Sequence, residues 1–154
     1  VETLPLETRK VFLRFGMVLG KNGGALQRTL PIFKLGLGAV MGKGKNMISW
    51  ITIDDVIGSI DHIIKHKEIS GPVNMTSPYP VTSKKFYKTL AKTLSRPCFL
   101  SIPSIFIELI FGQMGKELLD TSSNVYPQKL LTYGYTFIYP DINKAFNHLL
   151  EKES

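Results

Sequence analysis

Val11-Phe12-Leu13-Arg14-Phe15-Gly16-Met17-Val18-Leu19 is a nearly continuous apolar run. It reads as one strand buried on both faces, the kind found in parallel sheets covered by helices. Gly20 to Gly24 follow as a turn, and a helix is expected from about Ala25 to Leu35, shifted or kinked by Pro31. Gly36 to Lys45 reads as a glycine-bearing loop. Ile48-Ser49-Trp50-Ile51-Thr52-Ile53 is a second strand, rich in β-branched residues. Asp54 is placed to cap the next helix, in which Val56, Ile57, Ile60, Ile63 and Ile64 share one face.

Beyond Gly71-Pro72, Val73 to Met75 is a short third strand and Thr76 to Val81 a proline-rich turn. Thr82 or Ser83 caps a helix with Phe86, Leu90 and Leu94 inward, stopped by Arg96-Pro97. Cys98 to Ile102 reads as a strand, and Ser104 to about Leu119 as a helix. Pro127 opens a short helix closed by Gly134. Tyr135 to Tyr139 looks extended, and Asp141 caps a last helix with Ile142, Ala145, Phe146, Leu149 and Leu150 inward. Alternating strands and helices define an α/β chain. A doubly buried first strand needs neighbours on both sides, and the few short strands hardly supply them. The sheet is therefore expected to continue in residues outside this chain.

At 154 residues the chain is one ordinary domain's worth of material. Its 44% hydrophobic and 20% charged residues exclude a disordered tail, a collagen-like chain and a coiled coil. The lone Cys98 excludes an internal disulfide framework and a cysteine-built zinc site. The apolar run Phe99 to Phe111 is too short and too interrupted to span a bilayer, so no membrane is expected as a partner. Val1 to Glu7 does not read as a signal peptide, and a cytoplasmic location is expected. A chain opening on Val1 rather than methionine is expected to be a piece of something longer. The net charge of +7 comes mostly from dispersed lysines, densest at Lys84, Lys85, Lys88 and Lys92. Without a focused stripe or stacking aromatics, no nucleic-acid partner is expected.

Several segments together carry a resemblance. They are Leu13-Arg14-Phe15-Gly16-Met17-Val18-Leu19, Gly23-Gly24-Ala25-Leu26, Phe33-Lys34-Leu35-Gly36-Leu37-Gly38 and Ser49-Trp50-Ile51-Thr52-Ile53-Asp54-Asp55. Further on come Gly71 to Thr82, Leu94-Ser95-Arg96-Pro97, Val125 to Leu131, Gly134-Tyr135-Thr136-Phe137 and Tyr139-Pro140-Asp141. In this order they resemble the C-terminal half of atypical extended short-chain dehydrogenase/reductases of the epimerase-family branch, NAD(P)-dependent and nucleotide-sugar epimerase-like. The resemblance implies the C-terminal part of a Rossmann-like parallel sheet with its substrate loop over residues 1–70. A small α/β substrate-binding domain over 71–154 would follow. The family's opening glycine-rich turn and its Tyr-x-x-x-Lys pair are absent: no tyrosine has lysine four positions on. Hydride chemistry therefore would need a missing N-terminal Rossmann half, which would also supply most of the NAD(P) site. No tight cofactor binding by this chain alone is expected, and no catalytic residue is assigned.

Individual residues carry sharper and blander readings. Arg14, a charge in an apolar strand, must meet an acid, a phosphate or carbonyls, either in a structural ion pair or near the cofactor or substrate. The resemblance places Arg14, Phe15, Gly16, Met17 and Val18 beside the nicotinamide; a plain core strand is the alternative. Gly23, Gly24, Lys43, Trp50, Asn74 and Arg96 are the candidate substrate-binding residues for a small-molecule substrate. Lys43 and Lys45 could serve a phosphate from the glycine loop, or that loop is a mobile surface feature; it lacks the Walker setting. Trp50 is a pocket wall or a core anchor. Asp54-Asp55 could be an acid-base or metal pair, with capping the simpler account of Asp54. His62 and His66 have zinc-helix spacing without the intervening glutamate frame and are expected in solvent, and His148 has no evident partner. No metal is assigned. The helix Ser104–Phe111 is apolar around most of its circumference. It is expected against the rest of the domain, the missing half or a second subunit of a homodimer. It also supports a rival reading, a non-catalytic binding or assembly module.

Overall fold

The computed structural model describes residues 8–21, 23–41, 43–98, 100–102 and 122–151. The chain is α/β, built from parallel strand pairs with helices packed on them. The long apolar run is two strands rather than one. β1 (Val11–Phe15) lies parallel to β6 (Gly71–Met75), with Leu13 opposite Val73. β2 (Met17–Gly20) lies parallel to β5 (Trp50–Thr52), with Val18 opposite Ile51. The change of partner falls on Gly16. Its N–H donates to Met75 O at 3.1 Å, and the Met17 N–H donates to Ser49 O at 2.8 Å. A Cβ on Gly16 would stand 2.6 Å from Ser49 O, so only glycine lets the two backbones approach this closely.

The second expected strand is likewise divided at Ser49. β4 (Met47–Ile48) pairs antiparallel with β7 (Val81–Thr82), while β5 stays with β2. Inside the expected glycine loop, Ala39–Met41 forms β3, parallel to β8 (Leu100–Ile102). Apolar Ala39 and Val40 are buried there, which favours a strand over a solvated loop. The remainder of the loop is docked rather than free. Gly44 O accepts from Lys84 N at 3.1 Å and Asn46 O from Ser83 N at 2.7 Å.

Burial of β1 on both faces is not met among the described residues. Phe12 is 60% and Phe15 51% exposed, and Arg14 is exposed too. β6 is the strand that pairs with β1 among the described residues, so one edge of β1 is unpaired there.

Helix α1 (Gly24–Lys34) contains Pro31 in its interior, where the ring removes one helical N–H donor. Helix α2 (Ile53–Lys65) is capped by Thr52 rather than Asp54. The Thr52 hydroxyl accepts from Asp55 N and donates to Asp55 Oδ2, a reciprocal cap in a T-x-x-D frame. Val56 and Ile63 are buried, but Ile57 and Ile64 stand in solvent, contrary to an all-inward stripe. Helix α3 (Ser83–Thr93) has Thr82 as its cap and turns off through left-handed Ser95 ahead of Arg96-Pro97. Helix α4 (Gln128–Thr132) begins after Pro127 and ends on left-handed Gly134, whose own N–H returns to Leu131 O at 3.0 Å while the Tyr135 N–H returns to Leu130 O at 2.8 Å. Helix α5 (Ile142–Leu150) has Asp141 as cap, accepting from Asn143 N and Lys144 N, and buries Ile142, Ala145, Phe146 and Leu149 as expected. Residues 135–139 form no strand. The helix expected over 104–119, with its apolar segment 104–111, lies outside the described residues.

Two apolar clusters hold these elements. One gathers Leu19, Leu26, Phe33, Trp50, Phe86, Leu90 and Phe146 beneath α1, α3 and α5. The other gathers Ile51, Val56, Ile63, Ile69, Val73, Met75 and Leu130 between α2, β6 and α4. Both clusters draw residues from either side of residue 70.

Candidate cleft at the end of β2

Strand β2 ends at Gly20, and a tight turn bridges Gly20 to Gly23 and Leu19 to Gly24 before α1 begins. This turn forms one bank of an open cleft of about 700 Å³. Val18, Gly20, Lys21, Gly23 and Gly24 line it on that side. Ile53 and Asp54, from the first turn of α2, line a second side, and His148 and Leu149, from the last turn of α5, close it. Apolar walls with a few polar groups, at this size, suit a small-molecule ligand.

The polar groups are held in place. His148 Nε2 lies 3.2 Å from Asp54 Oδ2, so the histidine does have a partner. Its ring also lies flat on Tyr139, 4.2 Å between centroids and 13° between planes. Helix periodicity in each segment could not reveal this pair, because the two residues are 94 positions apart.

Tyr139 is fixed in turn by Asp55, which the sequence offered only as half of an acid-base or metal pair. Asp55 is buried, and its carboxylate accepts from Ile138 N at 2.7 Å, Tyr139 N at 3.0 Å, the Tyr135 hydroxyl at 3.0 Å and the Thr52 hydroxyl at 2.9 Å. The Tyr135 hydroxyl and the Ile138 and Tyr139 N–H groups are thus engaged by this one carboxylate, and residues 135–139 form no strand ladder. Burial, reinforced by the Asp55 charge and hydrogen bond, pushes the Tyr135 phenol well above its ordinary pKa. The Thr52-x-x-Asp55 spacing was the signal available in the sequence. Asp54 and Asp55 thus diverge, one to the cleft and one to the interior, and do not form an acid-base or metal pair. No group of three metal-ligating side chains occurs among the described residues.

The expected ligand residues divide between cleft and elsewhere. Gly23, Gly24 and Val18 line it. Gly16 and Met17 are engaged through backbone hydrogen bonds at the partner switch, and Met17 packs against the first cluster. Phe15 and Arg14 are exposed on β1 and are not among the residues lining the cleft, and no ion pair among the described residues includes Arg14. Trp50 is wholly buried, with Nε1 donating to Tyr79 O at 3.1 Å, which makes it a core anchor rather than a pocket wall. Asn74 Nδ2 donates to Tyr126 O at 3.2 Å and ties down residues 122–127. Lys43 and Arg96 are exposed and outside the cleft lining. His62 and His66 are half-buried, not free in solvent: they stack at 3.9 Å, and His62 Nε2 meets Tyr133 O at 2.9 Å. Burial raises the Cys98 thiol pKa, partly offset by Lys88, which argues against a reactive thiolate.

Comparison with known proteins adds a frame. A family described as a domain of unknown function (DUF1731) matches residues 102–149. The human epimerase family protein SDR39U1 is 34% identical over 143 residues, covering 93% of this chain and 49% of that protein. An epimerase family protein of Staphylococcus aureus (strain N315) is 38% identical over 147 residues, covering 96% and 49%. The crystal structure of the human protein (isoform 2) with NADPH superposes with a TM-score of 0.88 at 32% identity, over 96% of this chain and 50% of that one. A nucleoside-diphosphate sugar epimerase from Corynebacterium glutamicum superposes with a TM-score of 0.68 at 31% identity, over 92% of this chain and 26% of that one. The chain spans about half the length of the curated relatives it matches.

Proposed function

We propose, from the premise that the chain is the C-terminal part of an epimerase family protein, that it forms the substrate-side portion of an NAD(P)-dependent epimerase or reductase of the extended short-chain dehydrogenase class. The observation that carries this reading is the unfinished sheet. β1 is parallel, unpaired along one edge among the described residues, and exposes Phe12 and Phe15. Parallel strands are normally covered on both faces, so this border suits the remaining strands of a Rossmann-like unit. The relatives, about twice as long, have residues to supply them.

In this arrangement NAD(P), when bound, exchanges hydride with the substrate. Arg14, Phe15, Gly16, Met17 and Val18 form the cofactor-side segment, running from the open border to the cleft. The glycine turn and the Asp54–His148 wall shape the substrate side, and a nucleotide-sugar-like molecule is the substrate class the reading favours. Residues 1–70, extended by β6, complete the dinucleotide-binding sheet; the rest of 71–154 builds the substrate domain. The rival assembly-module reading rests on residues 104–111, outside the described residues. No helix among the described residues is long and apolar enough to cross a membrane.

The test is an NADPH titration followed by nicotinamide fluorescence. It compares this chain alone with the chain extended at its N-terminus by the Rossmann half of the human relative. Saturable binding by the extended chain and none by the short one is expected. A folded extended chain that does not bind NADPH overturns the reading.

A further inference from the structure

We propose that Asp54 and His148 act together as a hydroxyl-reading couple in the cleft, setting its preference for a neutral polyhydroxylated ring over an anionic group. The inference rests on the substrate-side reading and narrows it to two side chains. Two contacts hold the histidine, Asp54 Oδ2 at 3.2 Å and the face of Tyr139 at 4.2 Å, and Tyr139 is itself fixed by its N–H on the buried Asp55 carboxylate at 3.0 Å. A freely rotating surface histidine would have none of these. Yet 33% of the His148 side chain and 39% of the Asp54 side chain stay accessible, so a solute in the cleft reaches both.

The chemistry of the pair selects the ligand. A carboxylate accepts hydrogen bonds from O–H groups, and an imidazole adds one nitrogen donor or acceptor beside it. Adjacent groups of this kind match neighbouring hydroxyls on a ring. The apolar flanks from Val18, Ile53 and Leu149 match the C–H face of the same ring. A phosphate or carboxylate at this position would meet the Asp54 charge at short range and be repelled. Lys21, on the glycine turn, is the one lysine or arginine lining the cleft among the described residues. An anionic substituent would therefore lie toward Lys21, away from the couple.

The experiment titrates the ¹⁵N-labelled full chain with D-glucose and, in parallel, with D-glucuronate, the same ring carrying a carboxylate. D-Glucose is expected to shift the Gly20, Gly23 and Gly24 amides saturably, with D-glucuronate about tenfold weaker. His148→Phe, which keeps the stack on Tyr139, and Asp54→Asn, which keeps shape but removes charge, should each weaken D-glucose by about tenfold. Asp54→Asn should also erase the discrimination against D-glucuronate. Unchanged amide positions elsewhere confirm that each variant is folded. No saturable shift with D-glucose, tighter D-glucuronate binding, or D-glucose binding untouched by both variants overturns the couple. Glucose shifts at the cleft without NADPH binding by the extended chain would overturn the cofactor reading and leave the couple standing.

Discussion

The two apolar clusters are made of similar residues but roofed differently. Around Phe146 the first cluster is closed by α1, α3 and α5. Phe86 meets Phe146 edge-on at 5.1 Å, and Phe33 stacks on Tyr87 at 5.9 Å. The elements of the second cluster carry large apolar side chains inward and outward at once. β1 buries part of Leu13 and exposes Phe12; α2 buries Val56 and Ile63 and exposes Ile57 and Ile64. Exposed isoleucines at 53, 57 and 64 follow helical spacing, so they form a second stripe beside the buried one. An ordinary surface helix has one such stripe. The difference teaches that, among the described residues, helices close the first cluster, whereas the elements of the second keep an apolar stripe in solvent.

The largest expected effect falls on the link between the clusters. Asp55→Ala strips the acceptor from Tyr135, Ile138, Tyr139 and Thr52, and urea denaturation should show a loss of roughly 3–5 kcal/mol. A loss under about 1 kcal/mol would mean that residues 135–139 are held by something other than this carboxylate. Next comes a matched pair of phenylalanines. Phe146→Ala in the closed cluster should cost about 3–4 kcal/mol. Phe12→Ala on the open border should stay within about 0.5 kcal/mol in this chain. Equal costs would break the comparison, since they would show that β1 is already covered.

Gly16→Ala should cost about 1–3 kcal/mol by pushing a methyl group onto Ser49 O, and exchange of the Met17 amide hydrogen should quicken. A smaller loss than at Gly16 is expected at a pH-dependent cap. Burial alone would raise the Asp141 pKa, but hydrogen bonds from Asn143 and Lys144 and the nearby Lys85 charge outweigh it and hold it below the ordinary value. Such a lowered carboxylate stabilises the fold in full above the ordinary carboxylate range, and that stabilisation is lost as pH falls through the lowered folded-state value. Asp141→Ala should therefore cost about 1 kcal/mol near neutral pH. Its thermal-melt difference from wild type should close in acid; a pH-independent difference would assign the loss to packing.

Local chemistry made much of this legible. Asp141 before an i, i+3, i+4 apolar pattern defined α5, and Pro127 and Gly134 bracketed α4. The exchanges of partner at Gly16 and Ser49 were hidden because the flanking residues are apolar throughout and look alike as one strand or two. Register there depends on β6 and β5, more than thirty residues away in sequence, and not on any local signal. The cleft was half visible: the resemblance pointed to Gly23 and Gly24, but its Asp54–His148 wall joins two helix ends that only tertiary folding brings together. Trp50 went the other way, a bulky aromatic whose single polar atom was satisfied internally by Tyr79 O.

Between Phe12 and Gly20 the polypeptide has no slack. Hydrogen bonds on either side of Gly16 clamp it to Met75 and Ser49, and at about 3.3 Å per residue it runs like a push-rod of roughly 25 Å. One tip is the bare flank of the sheet; the other is the lip of the open cleft. Whatever settles against that flank therefore lies one continuous run of backbone away from the lip, with only the partner exchange at Gly16 between them.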